Sequence, residues 1–213
     1  MTVASYRLDQ VCADLIERLE GARPTFALDE DAAVEAFRRI AAEHVDTVIA
    51  EHDEVLGTPG WGALLRREVM ETFLPRYIRL ALDHNQLEAD GYHAWRKGDP
   101  VSRLLLTFAA LVVATAAYRL LHTPLTLGLF VLAFVVPFAP ELRRGWHRRR
   151  YAALLQEVID DMGRIQDSLD KAPPQVLGQR IAEAVAVEEG PAAAEEARRK
   201  ATAAVARQRE RPG

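Results

Sequence analysis

The stretch from Arg103 to Glu141 reads RLLLTFAALVVATAAYRLLHTPLTLGLFVLAFVVPFAPE. Two apolar runs, Leu104–Leu121 and Pro124–Pro140, lie between its charged ends, and Arg119 and His122 interrupt them only near the seam. A helix on the surface of a water-soluble fold keeps one polar face. The segment Leu125–Phe138 carries no charge on any face, with only Thr126 and Gly128 as relief. A buried helix pair in a soluble core is the alternative, but segments apolar all round are uncommon outside bilayers. At ~1.5 Å per residue each run reaches ~25 Å, the short end of the spanning range. The expectation is therefore a helical hairpin through a bilayer, turned at His122-Thr123-Pro124. Arg119 lies about one turn from the end of the first run, where a long side chain carries its charge to the headgroups.

The flanks set an expected orientation. Arg96, Lys97 and Arg103 precede the first run, and Arg143, Arg144, Arg148, Arg149 and Arg150 follow the second. Basic residues collect on the cytoplasmic side, so both termini are expected to be cytoplasmic in a multi-pass protein of the cell inner (plasma) membrane. Trp95, Tyr118 and Trp146 fall where an aromatic belt is expected. Taken alone, the arginine run suggests a nucleic-acid patch. Its place beside an apolar run and the net charge of −4 argue against nucleic acid as a partner.

The rest of the chain is polar enough that the apolar signal is local: 49% hydrophobic and 27% charged residues overall. The opening MTVASYRLDQ holds no apolar run, so no cleavable secretory signal is expected. One cysteine, Cys12, excludes an intrachain disulfide and a Cys-cluster metal site. It lies on an apolar stripe and reads as a small core residue.

Helical periodicity dominates, and no stretch alternates like a strand. Leu8, Val11, Cys12, Leu15, Ile16 and Leu19 form one stripe over residues 6–20, ended by Gly21 and Pro24. A second helix is expected over Asp29–Val55, with Val34, Phe37, Ala41, Val45 and Val48 inward. After a loop at Leu56–Gly60, a third covers Trp61–Glu88, and Pro75 should kink or split it. Over Glu141–Lys171, Tyr151, Leu155, Val158, Met162, Ile165 and Leu169 recur at heptad spacing. That pattern suits a coiled-coil seam or an amphipathic helix packed onto the N-terminal helices. A shorter helix with Val176, Leu177, Ile181 and Val185 follows. The tail is Ala-rich, charged and almost without large apolar residues, so it is expected to be disordered.

These readings give an all-α fold: a membrane protein with a two-helix transmembrane hairpin and cytoplasmic amphipathic helices. Its expected parts are an N-terminal helical region (1–100), the hairpin (101–140), C-terminal amphipathic helices (141–190) and a disordered charged tail (191–213).

Chemistry is harder to find. Glu43, His44, Asp46, Glu51, His52, Asp53 and Glu54 form one polar cluster, and Asp83, His84, Glu88, Asp90 and His93 another. A di-iron bundle repeats Glu-x-x-His on two helices, and this chain has none. His44 and His52 fall ~80° apart around a helix, which is poor convergence. No phosphate-binding glycine loop and no G-x-S-x-G occurs. Gly57-Thr58-Pro59-Gly60 reads as a loop before a helix. Neither run holds an acidic residue for a proton relay. Ala110 and Ala114, four apart, suit close helix packing within the hairpin or between subunits. No catalytic, cofactor-binding or metal-ligating residue is assigned, and no cofactor is expected. The expected function is a non-catalytic, membrane-anchored helical scaffold or interaction module. Its partners would be the lipid bilayer and a protein, or a second copy, bound through the cytoplasmic helices. An oligomeric pore lined by Thr115 and Thr126, or a membrane-shaping hairpin, is the alternative.

Overall fold

The computed structural model describes residues 7–26, 30–54, 58–91, 100–121, 125–135 and 139–210. Among these the chain is all-α, with no strand. The helices are α1 (Leu8–Ala22), α2 (Glu30–Glu54), α3 (Trp61–Arg67), α4 (Leu74–Gly91), α5 (Pro100–Leu121), α6 (Leu125–Val135), α7 (Ala139–Lys171), α8 (Pro174–Glu188) and α9 (Pro191–Glu210). They form two compact units, one of Met1–Leu82 with Leu154–Gly213 and one of Asp83–Ala153.

The first unit is built on the stripes that the periodicity picks out. Leu8, Val11, Cys12, Leu15 and Leu19 of α1 are buried, as are Phe37, Ala41, Val45 and Val48 of α2. Tyr77 sits edge-on to Phe37, with centroids 5.5 Å apart, and stacks on Phe73 at 6.3 Å. Its hydroxyl donates to Glu20 Oε1 at 2.9 Å, so the buried phenol keeps a partner. Pro75 does split the third helix, and the break is a π-helical turn over Glu68–Phe73. Proline lacks the N–H for an i→i−4 bond and its ring collides with that carbonyl, and widening the preceding turn relieves both.

The heptad face of α7 is spent inside the chain. Leu155, Val158, Met162 and Leu169 are buried, and the helix lies against the start of α1. Gln166 Oε1 accepts the backbone N–H of Leu8 at 3.3 Å, and its Nε2 donates to Asp170 Oδ1 at 2.9 Å. α1 has no side-chain cap of its own, so Gln166 supplies one from 158 positions away. Arg7 reaches Asp167 at 3.3 Å, and Arg76 of α4 pairs with Asp161 at 2.9 Å. The seam thus serves packing onto the N-terminal helices, the second of the two readings that the heptad spacing allowed.

The expected disordered tail is also corrected: Pro191–Glu210 is α9, packed along α8. Ala194, Ala201 and Val205 are buried against it. Small side chains bury little area each, which is why composition hid the interface, but they let two helices approach closely. Gly178 of α8 lies tight against α9: an added Cβ would collide with Thr202 Oγ1 and stand 3.1 Å from the Arg198 carbonyl oxygen. Gly60, at φ +77°, opens α3 against the same pair: a Cβ there would meet Val185 Cγ2 at 3.3 Å and Ala197 Cβ at 3.6 Å. That left-handed backbone and tight contact suit only glycine.

In the second unit α5 and α6 pair as a hairpin, but the transmembrane reading of it is overturned. Among the described residues no helix is long and apolar enough to cross a membrane. α6 has 11 residues, about 16 Å at ~1.5 Å per residue against ~30 Å of hydrocarbon. In α5, Arg103 and Arg119 confine the uncharged stretch to Leu104–Tyr118, about 22 Å. The apolar runs read from sequence also took in Leu120 and Leu121, beyond Arg119, and residues 136–140, beyond α6. The multi-pass placement in the inner membrane falls with them. The expected turn at His122–Pro124, and residues 136–138, lie outside the described residues.

Candidate functional site

Two places concentrate chemistry in the first and second units: a polar cleft between α1 and α2, and the apolar hairpin with the arginine-rich start of α7.

The cleft has a volume of about 480 Å³ and is lined by Val11, Asp14, Glu17, Arg18, His44 and Glu51, among others. His44 is only 4% exposed. Its Nε2 lies 3.3 Å from the Val11 carbonyl oxygen, so Nε2 carries the proton and donates. Nδ1 then holds a buried lone pair with no hydrogen-bond partner. Burial lowers the His44 pKa first, and Arg18 lowers it further, against the bond to Val11 and the fields of Asp14 and Glu51. His44 is accordingly a neutral imidazole at neutral pH. Of the other members of its sequence cluster, Glu51 lines the same cleft, whereas Glu43 and Asp46 face solvent and Asp46 pairs with Arg66. The side chains of His52, Asp53 and Glu54 lie outside the described residues. Cys12, on the same core face, is fully buried, and burial, then Asp9, pushes its thiol far above the ordinary range. Burial of this kind favours the thiol over the thiolate.

The second sequence cluster is brought together only in part. His84 is buried and stacks flat on Tyr151, with centroids 4.1 Å apart and planes 4° from parallel. Its Nε2 lies 3.4 Å from Glu88 Oε1, which also stands 3.9 Å from Arg148. Asp83 is exposed, and the side chains of Asp90 and His93 are outside the described residues. Among the described residues no three His, Cys, Asp or Glu side chains are arranged to hold a metal ion.

The hairpin presents the other kind of site. Ala114 and Ala133 are buried where α5 meets α6, and Tyr118 meets Phe130 edge-on at 6.4 Å. Ala114 and Ala133 thus pack within the hairpin, and Ala110 is half-buried. An apolar groove of about 400 Å³, lined by Leu106, Ala110, Val113, Leu129 and Leu132 among others, runs beside that contact. Large apolar side chains of both helices are exposed. Leu104 is 72% exposed, Phe108 64%, Leu120 82% and Val131 64%. Thr115, the polar residue expected to line a pore, donates its hydroxyl to the Leu111 carbonyl at 2.8 Å. The side chain of Thr126 lies outside the described residues.

α7 opens on the arginine run. Arg143, Trp146, His147 and Arg150 fall at helical offsets 0, 3, 4 and 7 and share one face. The Arg150 guanidinium sits 5.4 Å from the Trp146 ring centroid, and the His147 ring meets the same indole at 4.9 Å. The count of arginines was visible in the sequence; their sorting onto a face shared with Trp146 needed only the 3.6-residue period.

No family model matches this chain, and no curated protein or solved structure matches it either.

Proposed function

We propose that this protein is a non-catalytic helical interaction module whose apolar hairpin seats in one leaflet of a lipid bilayer. The observation that carries this is the apolar outer surface of α5 and α6. Leu104, Leu105, Phe108, Val112 and Val113 on one helix, with Val131 and Leu132 on the other, are all exposed. Exposed apolar surface on this scale marks an interaction site. Hydrocarbon covers such a surface from every outward direction at once, whereas one docked protein covers one side. A wedge confined to one leaflet adds volume to that leaflet alone, which supports the membrane-shaping alternative. The pore alternative has less support, because the Thr115 hydroxyl is spent on its own helix.

The test is flotation of the full chain with phosphatidylcholine vesicles. The chain should rise with the lipid. Leu105→Asp combined with Val112→Asp should leave it at the bottom, since a carboxylate in hydrocarbon costs ~2.5–3.5 kcal/mol. Wild-type protein that stays with the aqueous fraction would sink the reading.

A further inference from the structure

The hairpin reading accounts for the apolar surface and leaves the arginines of α7 unexplained. Five arginines stand between Leu142 and Tyr151, and no acidic residue falls between Glu141 and Glu157. The structure sorts them. Arg148 stands opposite Glu88 at 3.9 Å and Arg144 is half-buried. Arg143, Arg149 and Arg150 are exposed, and no ion pair is formed by any of the three among the described residues. Trp146, on the face shared by Arg143 and Arg150, is 56% exposed and carries the Arg150 guanidinium over its ring. A large indole left in water with a cation stacked on it is an unfilled arrangement, because tryptophan favours the level where hydrocarbon meets headgroups. The stripe from Arg143 to Arg150 is about 10 Å long. It begins four residues after the start of α7 at Ala139, directly after the apolar hairpin in the chain.

We infer that Arg143, Arg149 and Arg150, with Trp146 between them, bind the phosphates of anionic phospholipid headgroups. The inference rests on the hairpin reading, which supplies the bilayer. Guanidinium groups pair with phosphate oxygens through two parallel N–H donors, and Arg is the residue suited to that geometry. Trp146 enters the interface beside them and Arg150 stays stacked on its ring. A lipid surface fits better than nucleic acid. A chain of net charge −4 repels a polyanion at long range, whereas the hairpin delivers this face to a membrane regardless.

The test compares full-length protein on vesicles of phosphatidylcholine alone and vesicles containing one third phosphatidylglycerol. Each basic residue at such a surface contributes about five-fold in affinity. Wild type should therefore bind the anionic vesicles about 100-fold more tightly than the neutral ones, and the gain should shrink as salt rises. The variant R143Q/R149Q/R150Q changes three exposed helical positions to another good helix former, and circular dichroism verifies that it folds. It should lose the anionic gain while keeping its binding to neutral vesicles. Trp146 emission should shift to shorter wavelength on anionic vesicles in wild type. Equal binding of wild type and variant to anionic vesicles overturns the headgroup inference and leaves the hairpin reading standing. Absence of binding to neutral vesicles overturns the hairpin reading instead. Displacement by inorganic phosphate beyond that of chloride at equal ionic strength would make the stripe a free-phosphate site and overturn the lipid assignment.

Discussion

Gly178 gives the sharpest test of whether α9 is part of the folded unit. Replacing it with Ala in an isolated helix would stabilise by about 1 kcal/mol, because glycine loses more backbone entropy on folding. Here the new Cβ comes into collision with Thr202 Oγ1 and lies 3.1 Å from the Arg198 carbonyl oxygen and 3.5 Å from Thr202 Cβ. The hydroxyl can rotate away, but the carbonyl is backbone and yields only if α9 shifts. Overpacking of this kind costs ~1–3 kcal/mol. The two terms leave Gly178→Ala between roughly neutral and a loss of about 2 kcal/mol. Gly178→Leu adds three further carbons in the same space and decides the sign. Its cost is limited only by the free energy with which α9 docks, since the helix can detach. About 1 kcal/mol shifts Tm by ~2–4 °C for a unit of this size. The assay is thermal unfolding of the full chain with limited trypsin digestion at Arg198, Arg199 and Lys200. Gly178→Leu should lower Tm and speed cleavage at those sites. A rise of ~2–4 °C with unchanged cleavage would mean that Gly178 faces water and α9 is unanchored, and the packing argument would fail.

Two further outcomes follow from the first unit. Met162→Ala empties a position only 1% exposed on α7 and should cost ~2–5 kcal/mol in denaturant unfolding without altering the molecular mass in solution. A change of association state with unchanged stability would return the heptad face to an intermolecular role. His44 should make stability fall on acidification. Its folded pKa lies below the ordinary value of 6.5, so the unfolded chain takes up a proton first. Stability is full above 6.5 and drops as pH falls from there to the lowered folded value. Asp14, Glu17, Arg18 and Glu51 face the same cleft and are common to both proteins in the comparison. His44→Gln should flatten that segment of the stability–pH curve, and a slope unchanged by the substitution would assign it to other groups.

Periodicity of large side chains was the part of the fold that could be read directly. The stripes of α1 and α2 and the heptad face of α7 are buried as their spacing implies, because each buries enough area to dominate its helix. What could not be read is what each stripe packs against. Spacing is the same for a seam that meets a second copy and one that meets α1, and contacts such as the Gln166–Leu8 bond and the Arg7–Asp167 pair separate them. α9 went unseen for the opposite reason. Its contact is made by Ala194, Ala201 and a glycine opposite, residues whose apolar signal is near zero and whose value lies in close approach. The polar clusters show that proximity in sequence does not bring side chains together. Glu43, His44 and Asp46 are neighbours in the chain, yet the helix turns His44 inward and its neighbours outward.

The hairpin shows where composition and geometry part company. Composition counted apolar residues across Arg119 and through Pro140, and that total was long enough for two crossings. Geometry divides the same residues into an uncharged stretch bounded by Arg103 and Arg119 and an 11-residue helix. What survives the division is the set of exposed apolar side chains, Leu104, Leu105, Phe108, Val112, Val113, Val131 and Leu132, which does not depend on length. On the proposed reading, the covering material is apolar, reaches both helices from outside and ends where Trp146 and the exposed arginines begin. One leaflet of an anionic bilayer meets all three conditions with the same surface. That places the deciding contrast between neutral and anionic vesicles, where the hairpin and the arginine stripe contribute separately.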